Sequence, residues 1–113
     1  MSEAQKRQFF RVIYPAHERP KVIIARKPYE IMDLSEGGVK IFVKNPTLQF
    51  EVEKLVEGNI IFADKVNVAF KGKILRVHED FVVVRTSTGV PLQRIMGEQR
   101  YLIAKYGTLQ EKL

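Results

Sequence analysis

Residues 66–86 read Val-Asn-Val-Ala-Phe-Lys-Gly-Lys-Ile-Leu-Arg-Val-His-Glu-Asp-Phe-Val-Val-Val-Arg-Thr, and they decide the fold. Apolar and polar residues alternate through Val66, Val68 and Phe70, the period of a half-buried strand. Past Gly72 the apolar positions change parity to Leu75 and Val77, which predicts a bend or bulge at Gly72 of the sort that closes a small barrel. Glu79-Asp80 reads as the tip of a hairpin and 81–86 as its return strand. Working outward, β-branched and aromatic runs recur at 10–14, 21–25, 29–32, 39–43 and 59–63, joined by short links. Six or seven such strands predict an all-β fold with a C-terminal helix, built on a small antiparallel β-barrel. Residues 46–58 read equally as a strand or as a short helical turn.

After Gly89 the period changes. Leu92, Ile95, Met96, Leu102, Ile103 and Tyr106 recur at helical spacing, Pro91 suits a first turn and Gly107 supplies a stop. The barrel is therefore expected over 9–90 and the helix over 91–107, with 108–113 as a frayed tail. The helix suits either its own barrel or a second chain in a homodimer, and both readings stand.

Composition removes most enzyme classes. At 113 residues with 45% hydrophobic side chains, the chain has the size and content of one compact core. It has no cysteine, which excludes disulfide scaffolds, thiolate zinc sites and cysteine nucleophiles together. No apolar run approaches the roughly 20 residues that cross a bilayer, and residues 1–10 are charged, unlike a secretory signal. A cytoplasmic protein without membrane insertion is expected. His17 and His78 lie far apart without ligand-spaced partners, so no metal site is expected. Ser35 lacks both the nucleophile-elbow pattern and a placed histidine, and no Gly-rich phosphate loop is present. An enzyme and a bound cofactor are therefore not expected.

Charge is unevenly spread. The net charge is +6, and residues 1–28 carry seven basic side chains (Lys6, Arg7, Arg11, Arg19, Lys21, Arg26, Lys27) against Glu3 and Glu18, so five of the six net positive charges lie there. Within that stretch Arg7-Gln8-Phe9-Phe10-Arg11 places two arginines four apart. With eight arginines in the chain, a shuffled sequence holds about 0.5 such pairs, so the pair alone is weak. Asp33-Leu34-Ser35-Glu36-Gly37-Gly38 is more specific: Asp/Asn-x-Ser-x-x-Gly arises about 0.01 times by shuffling, although Asp, Ser and Gly also favour ordinary turns.

Together and in this order, the two motifs resemble the signature of the PilZ domain family, bacterial receptors for the second messenger cyclic di-GMP. The resemblance also covers architecture, with a flexible basic leader (1–12), a six-stranded barrel and a C-terminal helix, in a stand-alone domain. It implies that Arg7 and Arg11 clamp the ligand and that Asp33 accepts hydrogen bonds from guanine N1–H and N2–H₂. Ser35 would bond a phosphate or a base edge. Gly38, with no side chain, can take positive φ and let the ligand lie close to the strand, and Gly37 stands at a position the motif leaves free. An arginine fork can donate two parallel bonds to phosphate oxygens or to guanine O6 and N7.

One position departs from the pattern. Lys6 stands where many members carry an arginine associated with whether one or two ligand molecules bind; lysine keeps the charge without the stacking plane, which leaves stoichiometry open. Lys40, Arg76 and Arg85 add positive charge to the barrel. The resemblance further implies a separate, unidentified target protein whose interaction the ligand switches. Two other readings are a single-stranded nucleic-acid-binding barrel and a PilZ-like adaptor that binds no nucleotide. The first is disfavoured because the barrel itself is nearly neutral and no strand alternates basic with aromatic residues; the second, because both motifs are intact.

Overall fold

A long strand with partners on both sides closes the barrel. The computed structural model of the protein describes residues 11–46 and 49–107. Seven strands, β1 (Arg11–Ile13), β2 (Lys21–Ile24), β3 (Lys27–Ser35), β4 (Gly38–Phe42), β5 (Leu55–Ile61), β6 (Asn67–Val77) and β7 (Phe81–Thr88), precede one helix, α1 (Leu92–Tyr106). All pairings are antiparallel, in the order β1-β3-β2-β5-β6-β7-β4, and a further β3–β4 pairing closes β2 to β7 into a six-stranded barrel. β1 is a seventh, short strand. It continues the wall beside the second half of β3, in register Arg11↔Ser35 and Ile13↔Asp33, where β2 has ended.

Alternation fills the interior. Val82 and Val84 of β7, Phe70 and Ile74 of β6, Val39 and Ile41 of β4 and Ile60 of β5 point inward and are almost wholly buried. Each such side chain contributes roughly 1.5–3 kcal/mol on burial, which is how a chain without disulfides holds together. The parity change in β6 occurs as a register shift between Ile74 and Arg76, with Leu75 the extra residue turned outward, rather than at Gly72. A second irregularity lies beside Gly72, where β7 contributes the extra residue Ser87 between Thr86 and Thr88. Gly72 is needed for close approach: a Cβ there would lie 2.3 Å from the carbonyl oxygen of Arg85 and 2.8 Å from a Val84 methyl.

The ambiguous segment resolves into a turn. The Pro46 carbonyl accepts from the amides of Gln49 and Phe50, and Phe50 is buried at the barrel end with its ring edge-on to Tyr29, 5.7 Å between centroids. Only from Leu55 does the chain become strand. The β2–β3 link is a two-residue turn, Ala25-Arg26, with both residues at positive φ (52° and 71°), the twist-matched hairpin geometry.

The helix begins after Pro91, whose carbonyl accepts from the Arg94 and Ile95 amides, and ends at Gly107, at φ 75° with its amide donating to the Ile103 carbonyl. Pro91 is thus the capping residue and not the first helical one. Ile95 and Leu102 are fully buried against the same chain's barrel. Polar contacts fix the pose: the Tyr14 hydroxyl donates to Glu98 at 2.6 Å, Glu18 accepts from Lys105 (2.7 Å) and Tyr106 (2.6 Å), and Gln99 Nε2 donates to the Arg11 carbonyl at 3.2 Å. Arg94 bridges Asp64 and Glu98. The proposed tail, 108–113, lies outside the described residues.

Gly72→Ala drives a methyl group into the backbone of β7. It is expected to lower unfolding stability by about 1–3 kcal/mol in chemical denaturation, and a variant as stable as the parent would contradict the close approach.

Candidate functional site

The Asp-x-Ser motif faces outward because β3 carries an extra residue. Ile31 and Leu34 both point into the core although three positions apart, and the register with β4 shifts between Ile31 and Asp33. Met32 is the inserted residue. Without the bulge, Asp33 and Ser35 would share the interior face with Ile31; with it, both stand on the outer wall. The β3–β4 pairing then sets Ser35 opposite Gly38 and Asp33 opposite Lys40. On the other side of β3, Arg11 lies opposite Ser35. Four of the expected site residues, Arg11, Asp33, Ser35 and Gly38, are therefore brought to one patch.

The two-residue turn between them, Glu36-Gly37, is held from β7. The Thr86 amide donates to the Gly37 carbonyl and the Thr86 hydroxyl to the Glu36 carbonyl, each at 3.0 Å. The Ser35 hydroxyl makes a long 3.4 Å contact with the Gly38 carbonyl, weak enough to be exchanged for a ligand. Gly38 does not use the positive φ open to a glycine: its backbone lies outside the left-handed region. What a side chain would meet is β7, since a Cβ would sit 3.1 Å from the Val84 carbonyl oxygen. Gly38 is a bare floor tile between Ser35 and Arg85, its two cross-strand neighbours.

Electrostatically the patch centres on Asp33. Burial raises its carboxyl above the ordinary value of 3.8, and Lys40, Arg11 and Arg19 oppose that rise in turn. A half-buried acceptor without a side-chain hydrogen bond among the described residues suits a partner bearing paired N–H groups. Arg19 was not singled out as a site residue by its sequence context. It lies over the Phe42 ring (5.5 Å), forms a 3.4 Å ion pair with Glu30, and its buried Nε has no hydrogen-bond partner among the described residues. Lys40 lies over the Phe81 ring at 4.4 Å. The pairing register sets Lys40 opposite Asp33, and the loop after the 3-10 turn brings Arg19 close enough to act on the same carboxyl; no local motif carries either.

Other expectations fall elsewhere. Lys6 and Arg7 lie outside the described residues. His17 sits in a single 3-10 turn (Ala16–Glu18) with Nε2 2.6 Å from the Tyr106 hydroxyl, and His78 stacks on Phe81. No group of three or more His, Asp or Glu side chains suited to a metal ion occurs among the described residues. None of their helices is long and apolar enough to cross a membrane. Two open clefts, of about 880 Å³ between α1 and the barrel and about 600 Å³ beside Tyr29, Phe50 and Leu55, lie apart from the motif patch.

The profile of the PilZ domain matches residues 5–102, the whole barrel and most of α1. The chain belongs to the PilZ domain family. PilZ domains are regulatory receptor modules, not enzymes, and cyclic di-GMP is the ligand of the family. Among solved structures, this PilZ chain is similar to the Bacillus subtilis inhibitor of motility (MotI/DgrA), with a TM-score of 0.71 and 14% sequence identity over 90% of this chain. It spans 53% of that protein, and the likeness concerns the fold. No curated protein sequence matches.

The sign of the Asp33 shift gives a test. A carboxyl raised in the folded state contributes stability that is full below its ordinary value and lost as pH rises through the raised one. Asp33→Asn should therefore gain stability relative to the parent on going from acid to neutral pH, read from denaturation midpoints across pH. Titration of the Asp33 carboxyl by NMR at or below 3.8 in the free protein would contradict its placement.

Proposed function

We propose that the protein is a cyclic di-GMP receptor that reports ligand occupancy to a separate target protein. The observation that carries this reading is the outward turn of Asp33 and Ser35 at the Met32 bulge, in register with Arg11 on one side and with Gly38 on the other. A dianionic nucleotide needs cations for its phosphodiesters and an acceptor for its guanine edge, and the patch combines both. In this reading Arg11 donates from β1 and Arg7 from the preceding segment, while Asp33 accepts from guanine N1–H and N2–H₂. Ligand donors replace the water that burial withholds from the carboxylate, so binding lowers the Asp33 pKa and releases protons in the range where the free carboxyl is still partly protonated. Lys6 lies beside Arg7 in sequence and adds charge without a stacking plane.

Switching follows from connectivity. Segment 1–10 runs directly into β1, and β1 is fastened to α1 through the Gln99 contact to the Arg11 carbonyl and the Tyr14–Glu98 hydrogen bond. A leader drawn over the nucleotide presents a new surface beside the helix, which a target protein distinguishes from the ligand-free one. Inside a bacterial cell, such a module answers to second-messenger concentration.

Calorimetric titration with cyclic di-GMP tests the proposal. Binding at micromolar ligand is expected, and Arg7→Ala, Arg11→Ala and Asp33→Ala should each weaken it by roughly tenfold or more, since a bidentate pair is worth about 1–3 kcal/mol, while the barrel's circular dichroism is unchanged. Absence of heat and of competition with a labelled ligand would refute the receptor reading. Tight, steeply salt-dependent binding of single-stranded RNA or DNA that is indifferent to Asp33→Ala would replace it with the nucleic-acid reading.

A further inference from the structure

The strand register continues the motif patch across β4 to a residue that no signature includes. Arg11, Ser35, Gly38, Arg85 and Lys73 form one cross-strand row over β1, β3, β4, β7 and β6. Their in-row positions all face outward, because the flanking Val12, Leu34, Val39, Val84 and Ile74 are buried. We infer that Arg85 is a further ligand-binding arginine, donating to a phosphodiester of the nucleotide that lies over Gly38, from the side of the patch opposite Arg11.

Three observations support the assignment, which rests on the cyclic di-GMP reading above. First, Ser35 and Arg85 are the two cross-strand neighbours of Gly38, about 10 Å apart at two strand spacings. A glycine between them leaves that interval without a side chain, so a ligand bonded to Ser35 lies against Arg85. Second, Arg85 is exposed and has no ion pair or side-chain hydrogen bond among the described residues. The other candidate beside the motif, Lys40, is engaged over the Phe81 ring. Third, Arg85 stands directly opposite Lys73, a like-charge pair that destabilises an antiparallel ladder. Lys73 has one relief, a 3.6 Å contact with the exposed Glu53; Arg85 has none. A phosphate between the two strands supplies the missing counter-charge, and the planar guanidinium fork matches its oxygens.

The backbone of β7 makes this position firm. The Thr86 amide and hydroxyl tie the next residue to the Glu36-Gly37 turn, and Gly72 lies beneath the Arg85 carbonyl from the inside. Arg85 is thus anchored to the same turn that carries the signature.

Cyclic di-GMP titrations of the parent chain, Arg85→Ala, Arg85→Gln, Arg85→Lys and a charge-matched control, Lys21→Ala on the remote strand β2, decide the matter. Arg85→Ala and Arg85→Gln should each weaken binding by about tenfold or more, Arg85→Lys should retain part of the affinity, and Lys21→Ala should stay within about twofold. The melting temperature of Arg85→Ala should not fall, because a repulsive pair has been removed. Unchanged affinity in Arg85→Ala and Arg85→Gln overturns the assignment, as does an equal loss in Lys21→Ala, which marks a general loss of positive field. A parent chain that fails to bind overturns both this inference and the receptor reading, whereas a binding parent with unimpaired Arg85 variants overturns this inference alone.

Discussion

A single inserted residue, Met32, governs what the outer wall of this barrel presents. A strand's side chains alternate strictly, so one extra residue exchanges the inner and outer sets downstream of it. Upstream of Met32 the pattern serves the core through Ile31; downstream, Leu34 takes the interior and Asp33 and Ser35 move outside. Barrel closure requires β3 to pair with β4 along this stretch, and the same stretch must accept β1 on its other edge. The bulge satisfies both, and it delivers a carboxylate and a hydroxyl to a surface flanked by cations. The fold and the site are in this sense one piece of geometry.

The cost of that arrangement falls on Asp33. Cross-strand neighbours and β1 cover it enough to make its ionisation unfavourable, and Lys40, Arg11 and Arg19 restore only part of what water would have supplied. Structural carboxylates in this chain behave differently. Asp64 is held below its ordinary value chiefly by Arg94, and Glu18 by Lys105 and Tyr106. Those groups have their partners on the helix; Asp33 has no side-chain hydrogen bond among the described residues. The contrast separates carboxylates that fasten the helix from one that does not.

Much of this was legible in the sequence and some was not, for identifiable reasons. Alternation in 66–77 and 81–86 exposed the central hairpin, and helical spacing from Leu92 exposed α1, because one face of each is committed to the core. The start of β3 was missed by two residues since the β2–β3 turn uses Ala25-Arg26, where a hairpin usually advertises itself with Asn-Gly. The 46–58 segment stayed open because Phe50, buried and edge-on to Tyr29, follows neither period. A bend or bulge was expected at Gly72, and a register shift does lie between Lys71 and Gly72, but the change of face in β6 falls at Leu75, since the glycine answers to a neighbouring carbonyl. In the site, the motif positions are local and were visible. Arg85 joins them only through strand pairing, and Arg19 through the course of the loop before β2; both depend on tertiary structure that leaves no local trace.

The contacts between β1 and α1 also bear on how the chain acquires its structure. Tyr14 meets Glu98 across 84 residues of sequence, and Glu18 meets Tyr106 across 88. Contacts between such distant positions close late, since the loop entropy must be overcome before they reward it. During synthesis the first strand therefore waits for nearly the last helical turn to emerge before it can be secured, while the β6–β7 hairpin, local in sequence, forms without such delay. Until then only the three-residue β1 ladder covers that edge of β3, and a lightly covered strand edge invites association with other chains. Fastening the first strand to the helix thus makes the completed C-terminal segment a chaperone of its own N-terminal partner.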